Sequence, residues 1–86
     1  MGKLDKAKER LRGIPKDYTY SEAKSLLSQL GFQESTKGKT SGSRVKFYRK
    51  LDGKALLLHK PHPSDEMSIG STRDLYETLE MWGELK

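Results

Sequence analysis

The pair Asp52-Gly53, set between two short runs that alternate polar and apolar residues, constrains this chain more than any other feature. An Asp-Gly turn between such runs specifies a β-hairpin. If the turn has two residues, Leu51 stands opposite Lys54, Tyr48 opposite Leu57, Phe47 opposite Leu58 and Lys46 opposite His59. Side chains alternate between the faces of a strand, and opposed residues share a face. Val45, Phe47, Leu56 and Leu58 are therefore predicted to point toward a core, and Arg44, Lys46, Tyr48, Leu57 and His59 to point away from it.

The flanking sequence supplies helices for the apolar side. Thr19-Tyr20-Ser21-Glu22 has capping-box form, and Ala23, Leu26, Leu27 and Leu30 recur at helical spacing up to Gly31, which predicts a helix over about 20–30. Upstream, residues 4–12 can form a short charged helix ended by Gly13 and Pro15, although its apolar stripe is thin. Phe32–Ser35 is predicted as a first strand, and residues 36–43 as a loop rich in Lys, Gly, Ser and Thr. After a second loop over 60–70, Ser71-Thr72-Arg73-Asp74 is predicted to cap a last helix with Leu75, Leu79 and Trp82 on one stripe and Tyr76 beside it. The expected fold is an α+β domain of order α-β-β-β-α, its helices on one face of a three-stranded antiparallel sheet. Residues 19–86 form this domain, and residues 1–18 are a charged N-terminal segment that can add a helix.

Composition narrows the functions. Eighty-six residues, 33% of them apolar, make one small domain with a modest core. The absence of cysteine excludes disulfides and thiol nucleophiles, and no apolar run is long enough for a signal peptide or a membrane span, so a cytoplasmic protein with no membrane partner is expected. The net charge of +5 is unevenly placed: residues 37–60 carry eight Lys or Arg against Asp52 alone, a local +7, so the remainder sums to −2. A basic stretch interleaved with Phe47 and Tyr48 points to a polyanion partner, RNA above all, through Lys37, Lys39, Ser43, Arg44, Lys46, Tyr48, Lys50 and Lys60. A solvated face is the plainer reading of the same charges.

Two other chemistries fail on spacing. Lys37-Gly38-Lys39-Thr40 suggests a phosphate loop, but such a loop needs glycine at position 33, which is Gln, and a helix after Thr40, where a strand pattern follows. His59 and His62 with Asp65 and Glu66 offer metal-ligand side chains, yet Pro61 prevents a regular helix from presenting the two imidazoles together, and nearby cations oppose a divalent ion. No metal or cofactor is expected.

The order Leu30-Gly31-Phe32, Gly42-Ser43, a basic strand, Pro61-His62 and Gly70-Ser71-Thr72 resembles the HicA toxins of bacterial and archaeal toxin–antitoxin systems over roughly residues 19–82. The resemblance implies a fold similar to a double-stranded-RNA-binding domain, cleavage of messenger RNA, and neutralisation by a cognate HicB antitoxin, here expected to be acidic. It also exposes a departure. Family members carry their catalytic histidine directly after Gly-Ser, where this chain has Arg44. Metal-independent RNA cleavage needs a base for the 2′-hydroxyl proton and an acid for the leaving 5′-oxygen; imidazole suits both, whereas guanidinium does not give up its proton. Arg44 can hold phosphate, and His59 and His62 are the candidates for proton transfer. An RNA-binding module without cleavage, and a basic surface for an acidic protein, are the alternatives.

Overall fold

A computed structural model describes residues 2–35, 44–61 and 64–86. The chain runs α1 (Lys3–Arg12), α2 (Tyr20–Gln29), β1 (Gln33–Ser35), β2 (Arg44–Tyr48), β3 (Ala55–His59) and α3 (Ile69–Met81). The strands make one antiparallel sheet of order β1-β2-β3. Helices α2 and α3 pack against strands, and α1 packs against both helices.

Face assignment follows the alternation. Phe47 and Leu58 are buried, with Val45 and Leu56 half-buried beside them, while Arg44, Lys46, Leu57 and His59 are exposed. The register differs from the two-residue turn. Tyr48 stands opposite Ala55, Lys46 opposite Leu57 and Arg44 opposite His59, a shift of two residues. Its cause is local: Arg49 N–H donates to the Lys54 carbonyl at 2.9 Å, leaving four residues in the turn, and the Asp52 carboxylate turns back to accept from the Arg49 guanidinium and the Lys54 N–H. Gly53 closes the loop at φ +72, a conformation open to glycine at little cost. Because side chains alternate with period two, this even shift leaves both faces intact and moves His59 from Lys46 to Arg44.

The helices start from side-chain caps. Thr19 and Glu22 form a reciprocal capping box on α2, and the Asp65 carboxylate also accepts from Ser21 N–H at 3.1 Å. Residues 65–67 are held there as well, by Tyr20 N–H to the Asp65 carbonyl and Met67 N–H to the Tyr18 carbonyl. Helix α3 begins earlier than predicted. Ser68 caps it rather than Ser71, and starting at Ile69 places Thr72, Leu75 and Leu79 on one buried stripe with the Thr72 hydroxyl donating to the Ser68 carbonyl.

The thin stripe of α1 suffices because one residue dominates it. Leu11 is fully buried, and Leu4 and Ala7 pack beside the core. Arg10 fastens α1 to α2 by pairing with Glu22 and Asp17 while lying over the Tyr18 ring. Burial pushes the Tyr18 phenol above its ordinary range, and the Arg10 hydrogen bond holds the Glu22 carboxyl below its own.

Two outcomes are expected. Phe47→Ala should cost about 3–5 kcal/mol in denaturant unfolding, and Tyr48→Ala much less; the reverse order would contradict the face assignment. Ile14, half-exposed before Pro15, has φ 45, which a β-branched side chain tolerates poorly. Ile14→Asn should therefore raise stability by ~0.5–1 kcal/mol, read as a higher thermal midpoint.

Candidate nucleic-acid interface

The sheet face opposite the helices is arranged in rungs. Gln33, Tyr48 and Ala55 form one, Ser35, Lys46 and Leu57 the next, and Arg44 and His59 a third. The Tyr48 hydroxyl donates to the Gln33 side-chain oxygen at 3.2 Å, which fixes the ring across two strands. Among the described residues no helix covers this face, and 53% of Leu57 remains accessible. Cations therefore sit next to one aromatic ring and one imidazole on one face of the sheet.

The basic stretch divides between the two sides of the sheet. Arg49 shares the parity of Val45 and Phe47, so its guanidinium turns to the helix side. It donates to both carboxylate oxygens of Glu84 (3.1 and 2.5 Å), both of Asp52 (3.1 and 2.7 Å) and the Leu30 carbonyl (2.8 Å). Lys54 pairs with Asp52 at 3.2 Å and lies 5.8 Å from the Trp82 ring centre. These two cations and two carboxylates cancel. Lys60 places its ammonium over the Tyr20 ring, which packs against Phe47 on the core side. Arg44 and Lys46 lie exposed on the outer face, and Lys50 is exposed in the hairpin loop. Lys37, Lys39, Ser43 and His62 lie outside the described residues.

Sequence reasoning had not brought Gln33 or Ser35 to this face, although the alternation places them there once β1 pairs with β2. Nor had it found the groove of about 490 Å³ between β3 and α3, lined by Arg44, Leu57 and His59 on one side and Ser71, Asp74 and Thr78 on the other. Those α3 residues come from a distant segment, so no local signal marks them. Among the described residues, no group of three or more His, Asp or Glu could hold a metal ion, and no helix is long and apolar enough to cross a membrane.

Fold and face together define a small α+β domain whose three-stranded sheet is covered by helices on one side and carries Arg44, Lys46, Tyr48 and His59 on the other. The family described as "HicA toxin of bacterial toxin-antitoxin" matches residues 20–81, and the chain belongs to it. Membership implies a cognate antitoxin as partner. No curated protein and no solved structure matches the chain.

Hydrogen bonds from Arg49 hold the Glu84 and Asp52 carboxyls below the usual carboxylate range. A carboxyl depressed in the folded state stabilises it above the ordinary carboxyl pKa, and that contribution is lost as pH falls toward the folded-state value. Glu84→Gln should lower the urea midpoint at about pH 7 yet lose less stability than wild type on acidification to about pH 3. Parallel acid limbs for the two proteins would mean that Glu84 does not carry this dependence.

Proposed function

We propose that this chain is the RNA-directed toxin of a toxin–antitoxin pair, holding RNA on the outer face of its sheet and cleaving it with a histidine other than the one its family uses. The observation that carries the reading is the register, which stands Arg44 directly opposite His59. Cross-strand neighbours have Cβ atoms ~5 Å apart, close enough for one phosphodiester to meet both side chains. Arg44, Lys46 and Lys50 hold phosphates, Tyr48 offers a stacking surface for an unpaired base, and Lys37, Lys39 and Ser43 are the further candidates for phosphate contact. In the reaction, an imidazole takes the 2′-hydroxyl proton, the 2′-oxygen forms a bond to phosphorus, and the bond to the 5′-oxygen breaks as that oxygen accepts a proton. The products are a 2′,3′-cyclic phosphate and a 5′-hydroxyl. His59 and His62 are the two groups that can exchange these protons, and Arg44 offsets the charge developing on the phosphorane. No metal or cofactor enters. The partner is an acidic HicB-like antitoxin that covers the same cations, and the site of action is the cytoplasm.

Arg44 at the family's histidine position favours a second reading, in which RNA is bound and not cut. The two separate in one experiment. RNA affinity should fall steeply with salt, by about 0.7 log units per log unit of salt for each phosphate contact on a single strand, and Arg44→Glu with Lys46→Glu should abolish it without unfolding the domain. His59→Ala or His62→Ala should remove cleavage and growth inhibition while leaving affinity nearly intact. A harmless wild type made toxic by Arg44→His would establish the non-cutting reading instead, and a salt-independent affinity would exclude both.

A further inference from the structure

Phosphate capture does not account for the groove between β3 and α3. At about 490 Å³ it falls within the ~300–1,000 Å³ range of small-ligand sites. One wall is the free edge of β3. The bond from Arg49 N–H to the Lys54 carbonyl sets the phase of the ladder: Leu56 and Leu58 bond to β2, so the N–H and C=O groups of Ala55, Leu57 and His59 point outward. No described strand pairs with that edge. The other wall is α3, where Ser71, Asp74 and Thr78 follow one another at helical spacing. Arg44 and His59 line the groove from a single rung. It thus joins phosphate-binding chemistry to a carboxylate, which repels phosphate and attracts the N–H donors of a base edge.

We propose that this groove receives one unpaired nucleotide of RNA beside the phosphate held at Arg44, and that Asp74 reads its base, selecting guanine. The inference rests on the RNA-binding reading above and adds to it a specificity residue. Guanine alone carries two adjacent donors, N1–H and the 2-amino group, on its Watson–Crick edge, matching the two oxygens of a carboxylate. Uracil sets carbonyl oxygens on both sides of its single N–H, and these oppose Asp74. Adenine and cytosine each place one amino group beside a bare ring nitrogen and fall between. The outward N–H and C=O of Leu57 complement the polar rim of the base, and Leu57 and Leu75 supply apolar contact for its ring. A second copy of this chain is a poor occupant, because it brings the same net charge of +5.

The test uses oligouridine strands that differ only at one central position, G, A, C or U, with binding read by fluorescence anisotropy. Wild type should bind the G strand about tenfold more tightly than the all-U strand. Asp74→Asn, which replaces one acceptor by a donor, should collapse that ratio to near one; Lys46→Glu should weaken all four strands and preserve it. Amide exchange should show new protection at Leu57 and His59 on binding the G strand. Equal binding of the four strands, or a preference that survives Asp74→Asn, overturns the inference and leaves RNA binding standing. Protection of those amides only by an added protein partner would assign the groove to a peptide strand and overturn it equally. Failure of every strand to bind removes the RNA reading itself, and this inference with it.

Discussion

The Arg49 guanidinium is the contact on which the arrangement depends. An arginine has five N–H donors in a fixed plane, and all five are used, on Leu30, Asp52 and Glu84. The Phe32 ring lies beneath the plane, its centre 4.6 Å away. Two helices end at this point. Gly31 and Gly83 close α2 and α3 with φ +97 and +75, and Phe32 and Glu84 N–H return to the Leu27 and Leu79 carbonyls, the Schellman pattern at both ends. These turns deliver Phe32 against Trp82, centroids 5.9 Å apart, and Glu84 against Arg49. The turn favours glycine at position 31, where a Cβ would also come to 3.2 Å from the Arg49 stem and press it aside by a few tenths of an ångström.

The outer face inherits its geometry from that contact. Arg49 holds Asp52, Asp52 shapes the four-residue loop, and the loop sets which β3 residue stands opposite each β2 residue. Two elements outside residues 20–81 complete the structure: α1 contributes Leu11 to the core, and the C-terminal residues contribute Glu84 and the buried Leu85. The Lys8 ammonium also reaches the Lys86 carbonyl at 3.2 Å, which ties α1 to the segment after α3.

Much of this was legible because it depends on period. Alternation in 44–48 and 55–59 assigned both faces, and the apolar spacing in 20–30 gave α2 almost to the residue. What was not legible depends on side chains meeting across distance. Asp52-Gly53 fits a two-residue turn until Arg49 claims Asp52. Ser71 has the form of a cap in the sequence, yet Ser68 takes that role and the earlier start buries Thr72. Charge counting included Arg49 and Lys54 in the basic stretch and placed Lys60 among the RNA contacts; partners from the C-terminal tail, the hairpin and α2 direct all three elsewhere. Parity alone marked Arg49, since it falls in step with Val45 and Phe47.

The even register shift has a consequence for how such a site can change over evolutionary time. A hairpin loop that gains or loses two residues keeps every apolar side chain in the core and every cation outside, while a change of one residue would turn Leu56 and Leu58 into solvent. Loop length therefore works as a stepped slide. Each permitted step carries His59 past one outer-face cation of β2, from Lys46 to Arg44, and re-pairs the imidazole with a new neighbour at no cost to the hydrophobic interior. An exposed four-residue loop thereby decides which chemistry the sheet presents.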